Sequence, residues 1–169
     1  MGKHNFLKLE YRTEEAQDLE MVGIVDGNGA LPAYTTTDKH AKWNAWIVNR
    51  SRLMFQFVPV DCNIPIYKDN GVDMESRCDG MLLVDSLRYI AFIELKDVRS
   101  GGIADAIKQL RNTIELFSQS HHVEDFRIRR AYAANVAHPR FHYSMKDEIE
   151  SFRALKFVLM PQVEIVLTK

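Results

Sequence analysis

The sequence predicts an α/β domain with a central mixed β-sheet flanked by helices, and three features carry that expectation. Two apolar runs, Met81 to Val84 and Tyr89 to Leu95, are separated by Asp85-Ser86-Leu87-Arg88 and read as a β-hairpin. A helical stripe of Ile103, Ile107, Leu110, Ile114 and Phe117 follows behind Gly101-Gly102. Another run of strand composition, about 128–136, comes after that helix. With 169 residues, 46% hydrophobic content and no repeat, low-complexity tract or linker, residues 1–169 read as one domain that can bury a sizeable core.

Taken in order, Asn5 to Arg12 reads as a short strand and Thr13 to Met21 as a short helix capped by Thr13. Val25 to Pro32 is turn chemistry. Its Asp26 does not open an EF-hand loop, because Thr37 stands at the twelfth position, where a bidentate Glu is needed. Residues 39–50 read as a helix, with Thr37 or Asp38 as cap and Trp43, Trp46, Ile47 and Arg50 on one face. Residues 53–60 alternate as a strand, a loop follows through Pro65, Asp69, Asn70 and Gly71, and 75–85 and 89–96 form the hairpin. The long helix is expected at about 103–118. Ser144 is the expected N-cap of a last helix, with Asp147 completing a capping-box variant, and Leu155 to Leu167 closes the chain as strand broken at Pro161.

Charge and cysteine usage exclude several classes. The formal net charge of -1 gives no overall basic field to draw in nucleic acid, so any such contact rests on a local patch. Cys62 and Cys78 form no CxxC pair, hence neither a disulfide framework nor a zinc site, and a reducing cytoplasm fits. The N-terminus has no signal-type apolar segment, and Phe6 stands where a myristoylation motif needs Ser or Thr. No run approaches the roughly 18 apolar residues of a membrane helix, so a cytoplasmic protein without membrane contact is expected. No Gly-rich stretch matches a P-loop or dinucleotide fingerprint.

The hairpin poses the chemical question. Asp79, Glu94 and Lys96 stand among apolar residues, where charge is rarely buried without a partner. A two-residue or a four-residue loop gives the same register, with Asp79 opposite Glu94, Arg77 opposite Lys96, and Lys96 on the face of Glu94. Two carboxylates ~5 Å apart repel by roughly 3 kcal/mol at an effective dielectric near 20, and opposed like charges destabilise a sheet. Mg²⁺, which takes one or two carboxylates and keeps waters for phosphate oxygens, would offset that repulsion. The plainer reading is solvated strand ends with Lys96 paired to a carboxylate. Against it, Glu94-Leu95-Lys96 is the one [DE]-x-K triplet in the sequence, and it ends the most apolar strand.

Asp79 followed by Glu94-Leu95-Lys96 resembles the PD-(D/E)xK motif of the restriction-endonuclease-like nuclease superfamily. The expected element order from Lys39 to Ala137 is similar to that family's core of helix, three-stranded meander, helix and strand (αβββαβ). The resemblance implies a metal-dependent endonuclease hydrolysing phosphodiester bonds, in DNA in preference to RNA. It implies Mg²⁺ or Mn²⁺ held by Asp79, Glu94 and the Leu95 backbone carbonyl, with Lys96 orienting or deprotonating the attacking water. Cys78 replaces the motif's proline. The further Glu that many members place on the first core helix has no counterpart in 39–50, which leaves Glu14, Glu15 or Glu20 to supply it. Gln109 is an accessory candidate from the family's QxxxY pattern, with Thr113 at the Tyr position. Without an added recognition domain, duplex cleavage implies a homodimer. The rival class is a non-catalytic nucleic-acid- or protein-binding module on the same fold.

Three further groups carry weaker signals. Arg127 and Arg129 share a strand face and either meet phosphates or are solvated edge charges. His138 and His142 have HxxxH spacing, but Pro139 between them argues for extended chain. His121-His122 ends the long helix, where such groups suit its dipole.

Overall fold

Tyr89 to Leu95 presents apolar side chains to both sides, the pattern of a strand covered on both faces, and it becomes the centre of the fold. The structure, a computed structural model, describes residues 4–137 and 145–169. The strands are β1 (Met21–Val25), β2 (Tyr34–Thr36), β3 (Ala45–Val48), β4 (Gln56–Pro59), β5 (Gly80–Val84), β6 (Tyr89–Lys96), β7 (Ile128–Asn135), β8 (Val158–Met160) and β9 (Glu164–Val166); the helices are α1 (Gly102–Ser118) and α2 (Lys146–Ala154). They build two mixed sheets, ordered β4-β5-β6-β7-β8 and β2-β1-β3-β9.

Alternation along β6 separates two cores. Ile90 and Phe92 point toward α1, joining Leu110, Ile114 and Phe117 of that helix and Phe152 of α2. Ala91 and Ile93 point the other way and meet Ile24, Ile47 and Ile165 of the four-stranded sheet. Each fully buried Phe or Ile contributes roughly 1.5–3 kcal/mol, so both faces of β6 are held strongly. The α/β class and the α1 stripe are as the sequence predicts, but the five-stranded sheet carries helices on one face and a second sheet on the other.

That second sheet replaces the helix expected at 39–50. Residues before Ala45 turn, and Ala45–Val48 pairs antiparallel with β1 and parallel with β9. Trp46, Ile47 and Val48 are aromatic or β-branched, Ala45 and Ile47 are wholly buried, and pairing on both edges outweighs the helical spacing. Two more expectations fail near the N-terminus. Asn5 to Arg12 contains a 3₁₀ turn, Leu9–Tyr11, and no strand. Thr13 to Glu20 is irregular, with a single bridge from Gln17 to Phe55, before Met21 begins β1. A nine-residue helix is marginal on its own, and this segment has no apolar face to dock.

Elsewhere the boundaries shift modestly. Residues 75–79 stay outside the strand, and β4 is shorter than 53–60. The closing run breaks at Pro161 as expected, but its halves join different sheets, β8 beside β7 and β9 beside β3. Ser144, His138 and His142 lie outside the described residues, and α2 begins after Met145. His121 falls beyond the end of α1. It stacks on Phe117 at 4.5 Å and accepts a hydrogen bond from the Phe6 N–H at 3.1 Å, and burial pushes its pKa down, so it serves as a neutral latch for the N-terminal segment. Among the described residues no helix is long and apolar enough to cross a membrane.

Candidate functional site

The hairpin register is the expected one. Gly80 pairs with Ile93 and Val84 with Tyr89, which leaves 85–88 as the loop. Asp85–Leu87 makes a 3₁₀ turn there, and Arg88 closes it in the left-handed region at φ 49. Asp79 therefore sits one step beyond the last β5 pair, alongside Glu94. Its Oδ2 accepts a hydrogen bond from the Leu95 N–H at 2.6 Å, which holds the carboxylate against the end of β6.

Glu94 and Lys96 point to the α1 side. Glu94 is 1% exposed. The Lys96 Nζ lies 2.8 Å from Glu94 Oε1 and donates to Gln109 Oε1 at 2.8 Å. Gln109 in turn donates to the Arg77 carbonyl at 3.3 Å. Asp79, Glu94, Leu95, Lys96 and Gln109 are thus brought together, the last through the face of α1 that packs on β6.

Thr113 fixes the strand entry. Its hydroxyl accepts from the Cys78 N–H at 2.8 Å and donates to the Gln109 carbonyl at 2.8 Å. Arg77 does not meet Lys96 as the register suggests, because residues before Gly80 leave the sheet. Its guanidinium instead donates to Asp61 Oδ1, from Nε at 3.1 Å and from Nη2 at 2.8 Å. Arg77 is 8% exposed and its Nη1 has no partner among the described atoms. Asp61→Ala would leave that cation buried without a counter-charge, so we expect a loss of about 2–3 kcal/mol, discounted for the partial exposure of Asp61. Thermal unfolding would read this as a drop in Tm; an unchanged Tm would mean that Arg77 finds another acceptor.

The electrostatics are those of an acidic cluster short of positive charge. Burial, above all, pushes Asp79 up to about 7, with the Leu95 N–H opposing and Asp26 adding to the rise. Burial and then the charge of Asp79 push Glu94 up to about 9, against the pull of Lys96. Burial would lower Lys96, but its hydrogen bond to Glu94 and the surrounding carboxylates carry it upward instead. Glu94 Oε2 is buried with no hydrogen-bond partner among the described atoms.

Sequence reasoning missed two acids here, Asp26 and Asp61, both of which raise Asp79. Asp26 follows β1, a strand the sequence does not predict; Asp61 follows β4, at the start of a stretch with loop composition. The three glutamates offered as substitutes go elsewhere. Glu14 is taken by the Thr35 N–H at 2.9 Å and by the Thr35 hydroxyl, Glu20 pairs with Arg52 at 3.4 Å, and Glu15 is exposed. Arg129 donates to the carbonyls of Val123, Phe126 and Lys156. It pairs with Ile90, at the opposite end of β6 from Lys96, so a phosphate role beside this site is not supported.

The donors fit a hard divalent cation. All are oxygens, and an orphaned, buried carboxylate oxygen is the kind of atom a cation satisfies. Among the described residues no group of three or more His, Cys, Asp or Glu converges to hold a metal ion; a cation here would have Asp79 and Glu94 as its carboxylate ligands, and Mg²⁺ takes one or two carboxylates and keeps several waters. Comparison with protein-family models, curated proteins and solved structures finds no match.

Proposed function

We propose that this chain is a Mg²⁺- or Mn²⁺-dependent nuclease hydrolysing phosphodiester bonds, with DNA as the first substrate to test and a restriction-endonuclease-like arrangement of β4, β5, β6, α1 and β7. The observation that carries the reading is the buried Glu94 Oε2 without a partner, beside Asp79 and within the reach of one lysine. Neutral oxygen ligands would have served a purely structural cluster better, because each carboxylate here raises the other's cost of ionisation.

In this reading Asp79, Glu94 and the Leu95 carbonyl hold the metal. A bound Mg²⁺ or Mn²⁺ would neutralise charge developing on the phosphate and lower the pKa of a coordinated water. Lys96, held as a cation between Glu94 and Gln109, orients that water or the phosphate. A proton-accepting role would require it to give up the proton that Glu94 stabilises. Gln109 positions Lys96. Cleavage of both strands of a duplex would be served by a homodimer, which brings one such site to each strand.

The second reading, a non-catalytic binding module, is favoured by the Lys96–Glu94 contact, which already supplies one internal counter-charge. Incubation with plasmid and with single-stranded DNA, with and without Mg²⁺, separates them. Metal-dependent cleavage is expected, and no cleavage of either substrate with Mg²⁺ or Mn²⁺ would remove the nuclease reading.

Metal affinity should depend on pH. Both carboxyls are raised, so binding must displace protons from them at neutral pH. Mn²⁺ affinity measured by calorimetry should tighten as pH rises from about 6 to about 9, with proton release visible as a dependence of the heat on the buffer. A pH-independent affinity would place the ion elsewhere.

A further inference from the structure

The four-stranded sheet covers the five-stranded sheet with one face and turns the other outward. Val22, Ile24, Ala45, Ile47 and Ile165 point into the shared core, so alternation sends Met21, Gly23, Trp46, Val48, Glu164 and Val166 to the outer face. The register arranges them in rows. Met21 pairs with Val48 and Val48 with Val166, an apolar row across β1, β3 and β9. Two residues along, Gly23 pairs with Trp46 and Trp46 with Glu164.

This face is more apolar than a solvated sheet face needs to be. Met21 is 50% exposed and Val166 45% exposed. The chain has two tryptophans, and both lie here. A Cβ at Gly23 would lie 2.2 Å from the Trp43 ring, so that ring covers Gly23, and Trp46 stands beside it. Each indole is held by its N–H, which Trp43 donates to the Asp38 carbonyl at 2.9 Å and Trp46 donates to Glu164 Oε1 at 3.2 Å. Aromatic rings held in place, exposed apolar side chains and arginine are the groups in which protein interfaces are enriched. A depression of about 620 Å³ lies over the apolar row, bordered by Glu20, Arg50 and Glu164.

The charges around that depression select its occupant. Glu20 and Glu164 are matched by Arg50 and by Arg52, which pairs with Glu20 at 3.4 Å. Two acids and two bases cancel, so the face offers no basic field to a nucleic acid and does not repel a copy of itself. The placement of the signs is also self-complementary. Along β3, Arg50 follows Val48 by two residues and Trp46 precedes it by two, with Glu164 next to Trp46 on β9. The apolar row therefore lies midway between the base and the acid. A two-fold axis along that row sets Arg50 of one copy over Trp46 of the other, with Glu164 of that other copy one strand away, about 5 Å. The same contact then forms twice, and a guanidinium over an indole face is itself attractive.

We infer that two copies of this chain associate through the outer face of the four-stranded sheet, about a two-fold axis along Met21, Val48 and Val166. The face is small, so the dimer should form in the micromolar range. This goes beyond the nuclease reading and does not rest on it, although a homodimer is what cleavage of a duplex would use.

The test is sedimentation equilibrium of the full chain in EDTA, without nucleic acid, from about 5 to about 200 µM. The wild type should pass from monomer to dimer across that range. Met21→Glu and Val166→Glu, at exposed positions and with folding checked by circular dichroism, should each weaken association by roughly tenfold or more. Arg50→Glu and Glu164→Arg should each weaken it as well, and the two together should recover most of the loss. A wild type that stays monomeric throughout leaves the face to some other partner and overturns the inference, as does a dimer indifferent to Met21→Glu and Val166→Glu. A double variant that recovers nothing overturns the two-fold arrangement. Cleavage is scored separately. Metal-dependent cleavage by a monomer leaves the nuclease reading standing without this dimer, and a dimer that cleaves nothing does the reverse.

Discussion

Glu94→Gln and Asp79→Asn should each abolish Mn²⁺ binding and metal-dependent cleavage, and neither should unfold the protein. The side chains keep their size, so packing around β6 is preserved, while the charge that would hold the ion is gone. In metal-free protein the substitutions should even stabilise. The carboxyl of Glu94 is unfavourable to ionise in the fold, and its orphaned oxygen is balanced by nothing but Lys96 on the other oxygen.

The pH dependence gives this a sign. Unfolded, Glu94 titrates at its ordinary 4.5; folded, it holds its proton to about 9. Between those values the native state binds more protons than the unfolded one, so stability falls as pH rises through that window. Asp79 acts the same way between 3.8 and about 7. Lys96 is raised from 10.5, and its contribution is fully present below that value, so it leaves the window untouched. Tm in EDTA should therefore drop from pH 5.5 to pH 8 in the wild type and drop less in Glu94→Gln. Parallel slopes in the two proteins, or unchanged Mn²⁺ affinity in both carboxylate variants, would sink the site.

Lys96→Ala should slow cleavage by about 10²-fold or more, roughly 3 kcal/mol of transition-state stabilisation, with metal affinity little changed. Lys96→Arg should also be slow. The ammonium occupies a point between two oxygens, each at 2.8 Å, and a planar guanidinium cannot take that point without displacing Gln109. If Lys96 is only an ion-pair partner for Glu94, Lys96→Arg should cleave like the wild type, and Lys96→Ala should lower Tm without slowing the reaction. Either result would remove Lys96 from the chemistry.

The candidate site was largely legible because its parts are local. A hairpin with a short loop has one register, so the neighbourhood of Asp79 and Glu94 could be worked out from the loop alone, and it agrees with the Gly80–Ile93 pairing. Gln109 was named only through the family resemblance; the stripe of α1 fixes which face packs down, and Gln109 lies beside that stripe, where its side chain reaches Lys96. Asp26 and Asp61 were not legible. Asp26 follows β1, which carries little signal of its own because Met21–Val25 is short and follows a segment with helix-like composition; Asp61 follows a strand the sequence does predict, but nothing local to it says that its side chain meets Arg77 and comes near Asp79.

By itself, then, the sequence determined the hairpin, its register, the amphipathic α1 and the meeting of Asp79, Glu94 and Lys96, all through periodicities and loop lengths that act over a few residues. Only the tertiary structure decided that Ala45–Val48 is a strand, that β8 and β9 divide between two sheets, and that Asp26 and Asp61 come near enough to raise Asp79. The helical spacing of the two tryptophans is a weak local preference. Hydrogen bonds to β1 and β9 on either edge, with burial of Ala45 and Ile47 against the five-stranded sheet, outweigh it, and those partners lie far from β3 in sequence.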